Sequence, residues 1–407
     1  MNRFRDFLNR SLRQYGMIIA LVAIMIFFGF MTGGRLIWPR NISALIRQNA
    51  YVLILAIGMM FCILTGGNVD LSVGSLVALV SAMSGLTLTR LGLPSWLAII
   101  LSVLTGLLAG IWQGFWIAYV KVPPFIATLS GMLIFRGINN IILDGQTLPL
   151  SGLYVTVGTG SVPDIVPDTV PDFLRIGDLL QLQNKPEYLN ATMLVTGLVL
   201  SVIYVVVVIF SRQSKKRRGY EVQPLRLVIA KVIAFFIAIN LFSYWLAMDD
   251  GLPIMLILLV VLYGIYNFIA NRTVLGRHIY AMGGNIKAAE LSGVNTRKMM
   301  FLVYSNMGLL AGVAGIVTAG RLMAASPNVG MSFELDAIGA CFIGGASAYG
   351  GVGTIWGAVV GAFIMGVMNN GMSIMGLDVF LQSVAKGLVV LLAVAFDMYS
   401  KSKSRLG

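Results

Sequence analysis

Long apolar runs recur along the whole chain, and they constrain its fold more than any other feature. A helix needs roughly 20 apolar residues to cross the hydrocarbon core of a bilayer. Of the 407 residues, 58% are hydrophobic and only 11% are charged, whereas a soluble domain carries roughly 25% charged residues. Inside lipid the backbone must satisfy its own hydrogen bonds, as an α-helix does. We therefore predict an all-α polytopic integral membrane protein.

The apolar runs give twelve candidate spans, of which the tenth is short, so we expect about 10–12 transmembrane helices. The candidates lie near 17–34, 42–64, 71–89, 95–120, 123–143, 190–210, 226–247, 253–270, 299–319, 333–348, 354–373 and 378–397. We expect residues 1–407 to form a single transmembrane domain.

Basic residues alternate between loops instead of forming one patch, which argues against a nucleic-acid partner for this chain of net charge +13. Loops retained in the cytoplasm carry an excess of Lys and Arg. With the N-terminus inside, 18 basic residues fall in interior segments, at 3–13, 121, 212–218, 272–298 and 401–405. Six fall in exterior segments: Arg35, Arg40, Arg90, Arg175, Lys185 and Arg321. This bias predicts that both termini are cytoplasmic.

Two segments interrupt the regular alternation of spans and short loops. Residues 144–189 form a long exterior loop with Asp164, Asp168, Asp172 and Asp178 among prolines and glycines. This loop is either an acidic, partly ordered cap or a docking surface for an exterior partner. Residues 190–250 resemble an inserted transmembrane hairpin, and two added spans leave the orientation of the later spans unchanged.

The cytoplasmic segment 271–298 is polar, basic and helix-prone, and it lies between two apolar runs. Its centre predicts a short helix. Gly283 and Gly284 precede this helix, Asn285 is its expected N-cap, Lys287, Ala288, Ala289 and Glu290 form its body, and Gly293 stops it. Asn295 can cap the next helix. The segment is either a helix that docks on a soluble partner or a solvated connector.

Polar residues at membrane depth are the candidates for a translocation pathway. Residues 65–75 separate two apolar runs without a real loop. They indicate either a discontinuous helix that lines the path with Asn68, Asp70, Ser72 and Ser75, or a tight turn in which Asp70 is only an N-cap.

Two acids and two amides extend this set of pathway candidates. Glu334 and Asp336 open the tenth span and, being two residues apart, do not share a helix face. Asn369 and Asn370 either line the pore or join helices. Arg136 in the fifth span either pairs with a carboxylate or extends toward the outer surface.

Glycines at every fourth position indicate close helix packing. The two main ridges are Gly106, Gly110 and Gly114, and Gly353, Gly357 and Gly361. Catalytic chemistry is not indicated: the chain has one histidine, His278, two cysteines in apolar runs, no nucleophile triad and no G-x-x-x-x-G-K-[ST] phosphate-binding loop. We therefore predict no catalytic residue, metal or cofactor.

Three blocks of sequence resemble the permease subunits of bacterial ABC-type monosaccharide importers of the ribose, galactose and xylose branch. The first block is Gly66–Ser75, which is similar to the family's GG-x-DLSVGS signature with one extra residue. The second is Gly276–Asn295, which resembles the cytoplasmic coupling segment, although Lys287 stands where the importer consensus has glutamate. The third runs from Glu334-Leu335-Asp336 to Gly350-Gly351-Val352-Gly353, with Asn369-Asn370-Gly371 beyond it. The hairpin at 190–250 is more similar to xylose and multiple-monosaccharide permeases.

The resemblance implies a type II-like importer architecture in the bacterial inner membrane, with one or more broken helices. It also implies a homodimer embedded in membrane lipid, a cytoplasmic ATPase that docks at residues 283–295, and a periplasmic sugar-binding protein. Two rival interpretations remain: an ion-coupled secondary transporter of a polar solute, for which Asp70 is the candidate titratable residue, and an integral-membrane enzyme.

Overall fold

The computed structural model describes residues 2–164, 189–220 and 224–405, and they are almost entirely helical. Fifteen α-helices and one short strand pair lie within these ranges. The helices are α1 (Asn2–Met31), α2 (Pro39–Leu64), α3 (Val73–Gly85), α4 (Ser95–Phe115), α5 (Pro124–Leu143), α6 (Leu153–Thr159), α7 (Ala191–Arg217), α8 (Leu225–Ala247), α9 (Ile254–Arg272), α10 (Val274–Gly284), α11 (Ile286–Leu291), α12 (Thr296–Leu322), α13 (Phe333–Ile343), α14 (Ile355–Ile374) and α15 (Val379–Arg405). The strands β1 (Leu148–Pro149) and β2 (Ala324–Ala325) are antiparallel.

Nine helices in the described ranges are long and apolar enough to cross a membrane, and each matches a predicted span. In the third and fourth predicted spans, the helices α3 and α4 each continue as a single π-helical turn, Leu86–Arg90 and Trp116–Val120. The first and last predicted spans correspond to shorter apolar stretches, Gly16–Met31 and Val379–Ala395. The chain is therefore a polytopic helical membrane protein, as predicted.

The tenth predicted span, 333–348, is wrong as a full span. Its helix α13 has 11 residues and ends before Gly344, so it is only about 16 Å long at 1.5 Å per residue. The chain turns at Gly345, whose φ of 82° lies in the left-handed region and is readily adopted only by glycine. The sequence stays apolar past this turn, so hydropathy alone does not show that the helix ends there.

The chain forms two compact units, of which the first comprises residues 1–36, 45–160 and 255–407. Helix α3 lies at the centre of this unit, where 12 of the helix's residues are buried. It packs against α4, α5 and α12. Helices α4 and α12 pack closely, because Gly106 and Gly110 lie directly against the backbone of Gly308. No bulkier residue would fit between these backbones.

The second unit comprises residues 37–44 and 161–254 and contains the helical hairpin α7–α8. The hairpin helices pack where Gly197 meets Ser243. The carboxylate of Asp164 accepts hydrogen bonds from the backbone N–H groups of Ala191 and Thr192, both at 3.0 Å, at the start of α7. Much of the remaining surface of both helices is apolar and exposed, as suits a hairpin that faces lipid.

The predicted exterior loop is described in part. Residues 144–164 contain β1 and α6, whereas Asp168, Asp172 and Asp178 lie outside the described residues. The interpretation of 144–189 as an acidic cap therefore stays a prediction.

Candidate functional site

The segment that precedes α12 folds into two short helices, each with a side-chain cap. The side chain of Thr273 accepts a hydrogen bond from Gly276 N–H at the start of α10. Asn285 accepts from Ala288 N–H at 3.0 Å to cap α11, and Asn295 accepts from Lys298 N–H at 2.9 Å to cap α12. Both asparagine caps confirm the prediction. Each satisfies a backbone donor that has no partner within its helix.

Gly293 ends this helical turn as predicted. Its φ is 86°, and the backbone N–H of Val294 donates back to the carbonyl of Ala289 at 3.0 Å. The left-handed conformation reverses the chain toward α12. No atom lies within 4 Å of the position that a Cβ would take at Gly293, so backbone strain alone opposes a side chain there.

Helix α11 has one buried position and several exposed ones. Ala289 is 5% exposed and packs with Met282, Val294 and Met299 in a small apolar cluster. Ala289 thus faces the protein interior, and its packing there holds α11 in place. Leu291 is 90% exposed and Ile286 is 45% exposed, and Lys287, Ala288 and Glu290 are also exposed.

Ile286 and Leu291 were absent from the predicted contact residues. The signal that could have identified them is two large apolar residues within an otherwise polar and small-residue segment.

Three glycine-rich turns meet where α10 ends. A Cβ at Gly283 would overlap the carbonyl oxygen of Leu64 and the backbone of Gly351. Gly351 N–H donates to the same Leu64 carbonyl at 3.1 Å, and Gly350 lies against Gly66. The end of α2, the end of α10 and the turn before α14 are therefore in direct backbone contact.

Tyr280 adds a side-chain connection at this junction. Its hydroxyl donates to the carbonyl of Gly353 at 2.8 Å, and burial raises the pKa of Tyr280 above its ordinary value, so the hydroxyl remains a donor at neutral pH.

Each of the three sequence blocks that carry the family resemblance contributes backbone to this junction. A displacement of α10 and α11 would consequently act on α2 and on the turn before α14.

The break between α2 and α3 encloses Asp70 in an internal hydrogen-bond network. Asp70 is 1% exposed, and its Oδ1 accepts from the N–H and the hydroxyl of Ser72 at 2.9 and 2.6 Å and from Gln113 Nε2 at 3.4 Å. Asn68 donates to the carbonyl of Thr65 at 3.4 Å, and Ser75 is buried. The formal N-cap of α3 is Ser72; Asp70, the N-cap in the tight-turn alternative, lies two positions earlier and accepts the Ser72 N–H.

The two acids of α13 point in different directions, as their spacing predicted. Asp336 accepts from the Tyr51 hydroxyl at 2.7 Å and forms an ion pair with Lys386, whose Nζ lies 3.0 Å from Oδ1. Tyr51 in turn stacks on Phe333, with ring centroids 3.6 Å apart. Glu334 instead lies against Gly74.

Arg136 is held by backbone carbonyl groups. Its Nη1 donates to Pro327 O at 3.1 Å and to Val329 O at 2.7 Å, and it interacts electrostatically with Glu334. The sequence had predicted either a paired carboxylate or an outward extension, and it gave no sign of this bonding to a loop 191 residues away.

The remaining predicted residues lie within the first unit, and Asn370 and most of the glycines are at close contacts between helices and turns. Asn370 Nδ2 is 3.5 Å from Gln48 Oε1, and Asn369 is partly exposed. Gly114 lies against Phe301 of α12. Gly357 lies against the carbonyl of Gly344, Gly361 against that of Ala340, and Gly353 against Met60.

Comparison with known proteins gives a consistent result along the chain. Residues 41–164 and 181–394 match the family described as branched-chain amino acid transport system / permease component. The xylose transport system permease protein of Haemophilus influenzae is 38% identical over 97% of this chain and 98% of its own length. That of Escherichia coli is 38% identical over 98% and 95%. The ribose import permease protein of Bacillus subtilis is 34% identical over 88% and 85%. No solved structure matches the chain significantly.

Proposed function

This chain belongs to the family described as branched-chain amino acid transport system / permease component, and from that membership we propose that it is the membrane subunit of an ATP-driven importer of a monosaccharide. One observation carries the choice of substrate class: the xylose permeases align with 97–98% of the chain at 38% identity. Similarity that includes the α7–α8 hairpin favours xylose or a related pentose or hexose over an amino acid.

The permease itself does not hydrolyse ATP in this proposal. A cytoplasmic ATPase binds the exposed face of α11, where Leu291 and Ile286 supply the apolar anchor and Lys287 and Glu290 the polar rim. Docking surfaces concentrate their binding free energy in a few well-packed residues. ATP binding and hydrolysis by the partner would move α10 and α11. The backbone contacts of Gly283 with Leu64 and Gly351 would transmit this displacement to α2 and α14.

Two further partners complete the transporter. A second copy of the chain provides the other half of the pathway, and a periplasmic binding protein delivers the sugar. Specificity then lies mostly in the binding protein, and the pathway holds sugar weakly, because a deep binding well would slow release.

Reconstituted transport tests this proposal. The permease is placed in vesicles with its ATPase and binding protein, and uptake of labelled xylose, galactose, glucose and arabinose is followed with and without ATP. We expect ATP-dependent accumulation of at least one of these sugars. Uptake that survives ATP depletion but collapses with the proton gradient would show an ion-coupled transporter instead.

A further inference from the structure

A cavity of about 620 Å³ lies at the C-terminal end of α5, and several polar side chains are part of its lining. Its polar lining comes from the end of α5, from the turn before β1, and from the loop between β2 and α13. The side chains that line it include Arg136, Asn140, Thr147, Ser326, Asn328 and Met331. Cavities that hold small molecules measure roughly 300–1,000 Å³, so a monosaccharide fits with room for water.

The geometry points to a site for a neutral polyhydroxylated solute, and we propose that this cavity is the outer sugar subsite of the translocation pathway. The inference rests on the proposed function and on the predicted topology, which puts residues 144–149 and 326–331 outside. None of the pathway residues predicted from the sequence is among the described residues that line the cavity.

The charges around the cavity favour an uncharged occupant. Arg136 opposes a cation, and its charge is partly balanced by Glu334, with which it interacts electrostatically, so it attracts an anion less strongly. The other polar lining groups are neutral amides and hydroxyls. Such groups both donate and accept, as each hydroxyl of a sugar does.

The polar groups of the cavity are held in place by further hydrogen bonds. Arg136 is fixed by its two bonds to the carbonyls of Pro327 and Val329. Asn139 is wholly buried beneath it and donates from Nδ2 to Pro327 O at 3.2 Å and to Asn140 Oδ1 at 3.0 Å. These bonds join α5 to the loop before α13, so the cavity wall is preorganised.

The lining also predicts weak binding. No aromatic ring is among the described residues that line the cavity, and Met331 is the main apolar side chain. A tight sugar site buries most of its ligand and contacts it with apolar surface. An open cavity that offers hydrogen bonds but no aromatic stacking would instead accept sugar briefly and release it inward, as a transport pathway requires.

Cysteine protection in the complete transporter tests the site directly. The two native cysteines, Cys62 and Cys341, are buried, so an Asn328→Cys variant offers one exposed thiol to a small membrane-impermeant thiol reagent. With the transported sugar at about twice its dissociation constant, labelling should slow about threefold, since only unoccupied sites react. Gln146→Cys, in the turn before β1 but outside the lining, should label at an unchanged rate.

Uptake by a truncation variant gives the second readout. Asn140→Ala should lower sugar uptake about two- to tenfold, the effect of one or two lost hydrogen bonds, while ATP hydrolysis stimulated by the binding protein stays at the level of Gln146→Ala. Unprotected Asn328→Cys together with normal uptake by Asn140→Ala would overturn the proposal. Protection by the binding protein but not by free sugar would also overturn it, because the cavity would then be a docking surface. If the unmodified transporter carries no sugar, it is the proposed function that fails.

Discussion

At the scale of single residues, Asp336 shows how the protein keeps a charge at membrane depth. Its carboxylate receives the Tyr51 hydroxyl from α2 and the Lys386 ammonium from α15. Asp336 is 1% exposed and the Lys386 side chain 14%. Removing one partner of a buried pair leaves an uncompensated charge, which costs more than removing both. The pair therefore joins the short helix α13 to α15.

Single and double substitutions of this pair should differ in stability. Lys386→Met leaves the buried carboxylate without its cation, and we expect a loss of about 3–5 kcal/mol. Asp336→Asn combined with Lys386→Met should recover most of that loss. Thermal unfolding of the detergent-solubilised permease measures both, with the exposed Lys298→Met as control. A Lys386→Met protein as stable as the control would show that the pair is not important for stability.

Asp70 is the second residue whose environment makes a definite prediction. Because Oδ1 accepts all three of its hydrogen bonds, Asp70→Asn can keep them through its own Oδ1, whereas Asp70→Ala leaves buried donors unpaired at a cost of about 1–3 kcal/mol. We expect Asp70→Asn to fold and to transport sugar, and Asp70→Ala to be less stable. Sugar uptake and protein level are measured together. Lost uptake by Asp70→Asn at an unchanged protein level would instead assign the carboxylate to the pathway.

At the scale of elements, both ends of α11 and the start of α12 could be predicted from the sequence, but the faces of the short helices could not. Asn285, Gly293 and Asn295 act through neighbours within three to four residues, so local pattern is sufficient to identify them. The inward direction of Ala289 depends on Met282 and Met299, and the position of Asp336 depends on Tyr51, 285 residues earlier. Contacts this distant leave no signature in a single sequence.

The two faces of α11 should respond differently to the same substitution. Leu291→Asp changes a 90% exposed side chain, so the permease should fold normally but lose ATPase binding by roughly 2 kcal/mol or more, as expected of a docking anchor. Ala289→Asp places a charge in the apolar cluster, so it should weaken the packing of α11 against the rest of the protein. Co-purification with the ATPase and limited proteolysis of 271–298 distinguish the two effects.

Gly293→Val completes this test. The left-handed φ at Gly293 disfavours a β-branched residue, so the end of α11 should shift and coupling should weaken, while membrane insertion stays unchanged. If Leu291→Asp and Gly293→Val both retain normal ATPase association and sugar-stimulated ATP hydrolysis, the segment is a connector.

At the scale of the whole molecule, charge and helix order together determine which loops share a side of the membrane. Each full span reverses the direction of the chain, and the hairpin α7–α8 adds two reversals, which cancel. The short helix α13 spans only about half of a hydrocarbon core roughly 30 Å thick. The orientation of the last two spans therefore depends on whether α13 and the turn after it cross together as one broken helix. The charge bias favours such a crossing, because without it Lys401, Lys403 and Arg405 would lie outside.

Single-cysteine labelling from outside tests this topology. We expect Asp168→Cys to react with a membrane-impermeant thiol reagent in intact cells, and Lys216→Cys, in the basic turn after α7, to react only after the membrane is opened. Gln146→Cys should react like Asp168→Cys, and a cysteine at Lys401 should react like Lys216→Cys, because an even number of crossings separates Lys401 from the N-terminus. The buried native cysteines keep the background low. Labelling of Lys401→Cys from outside would mean that α13 and its turn do not cross, and the remaining positions would still fix the orientation of the nine spans before α13.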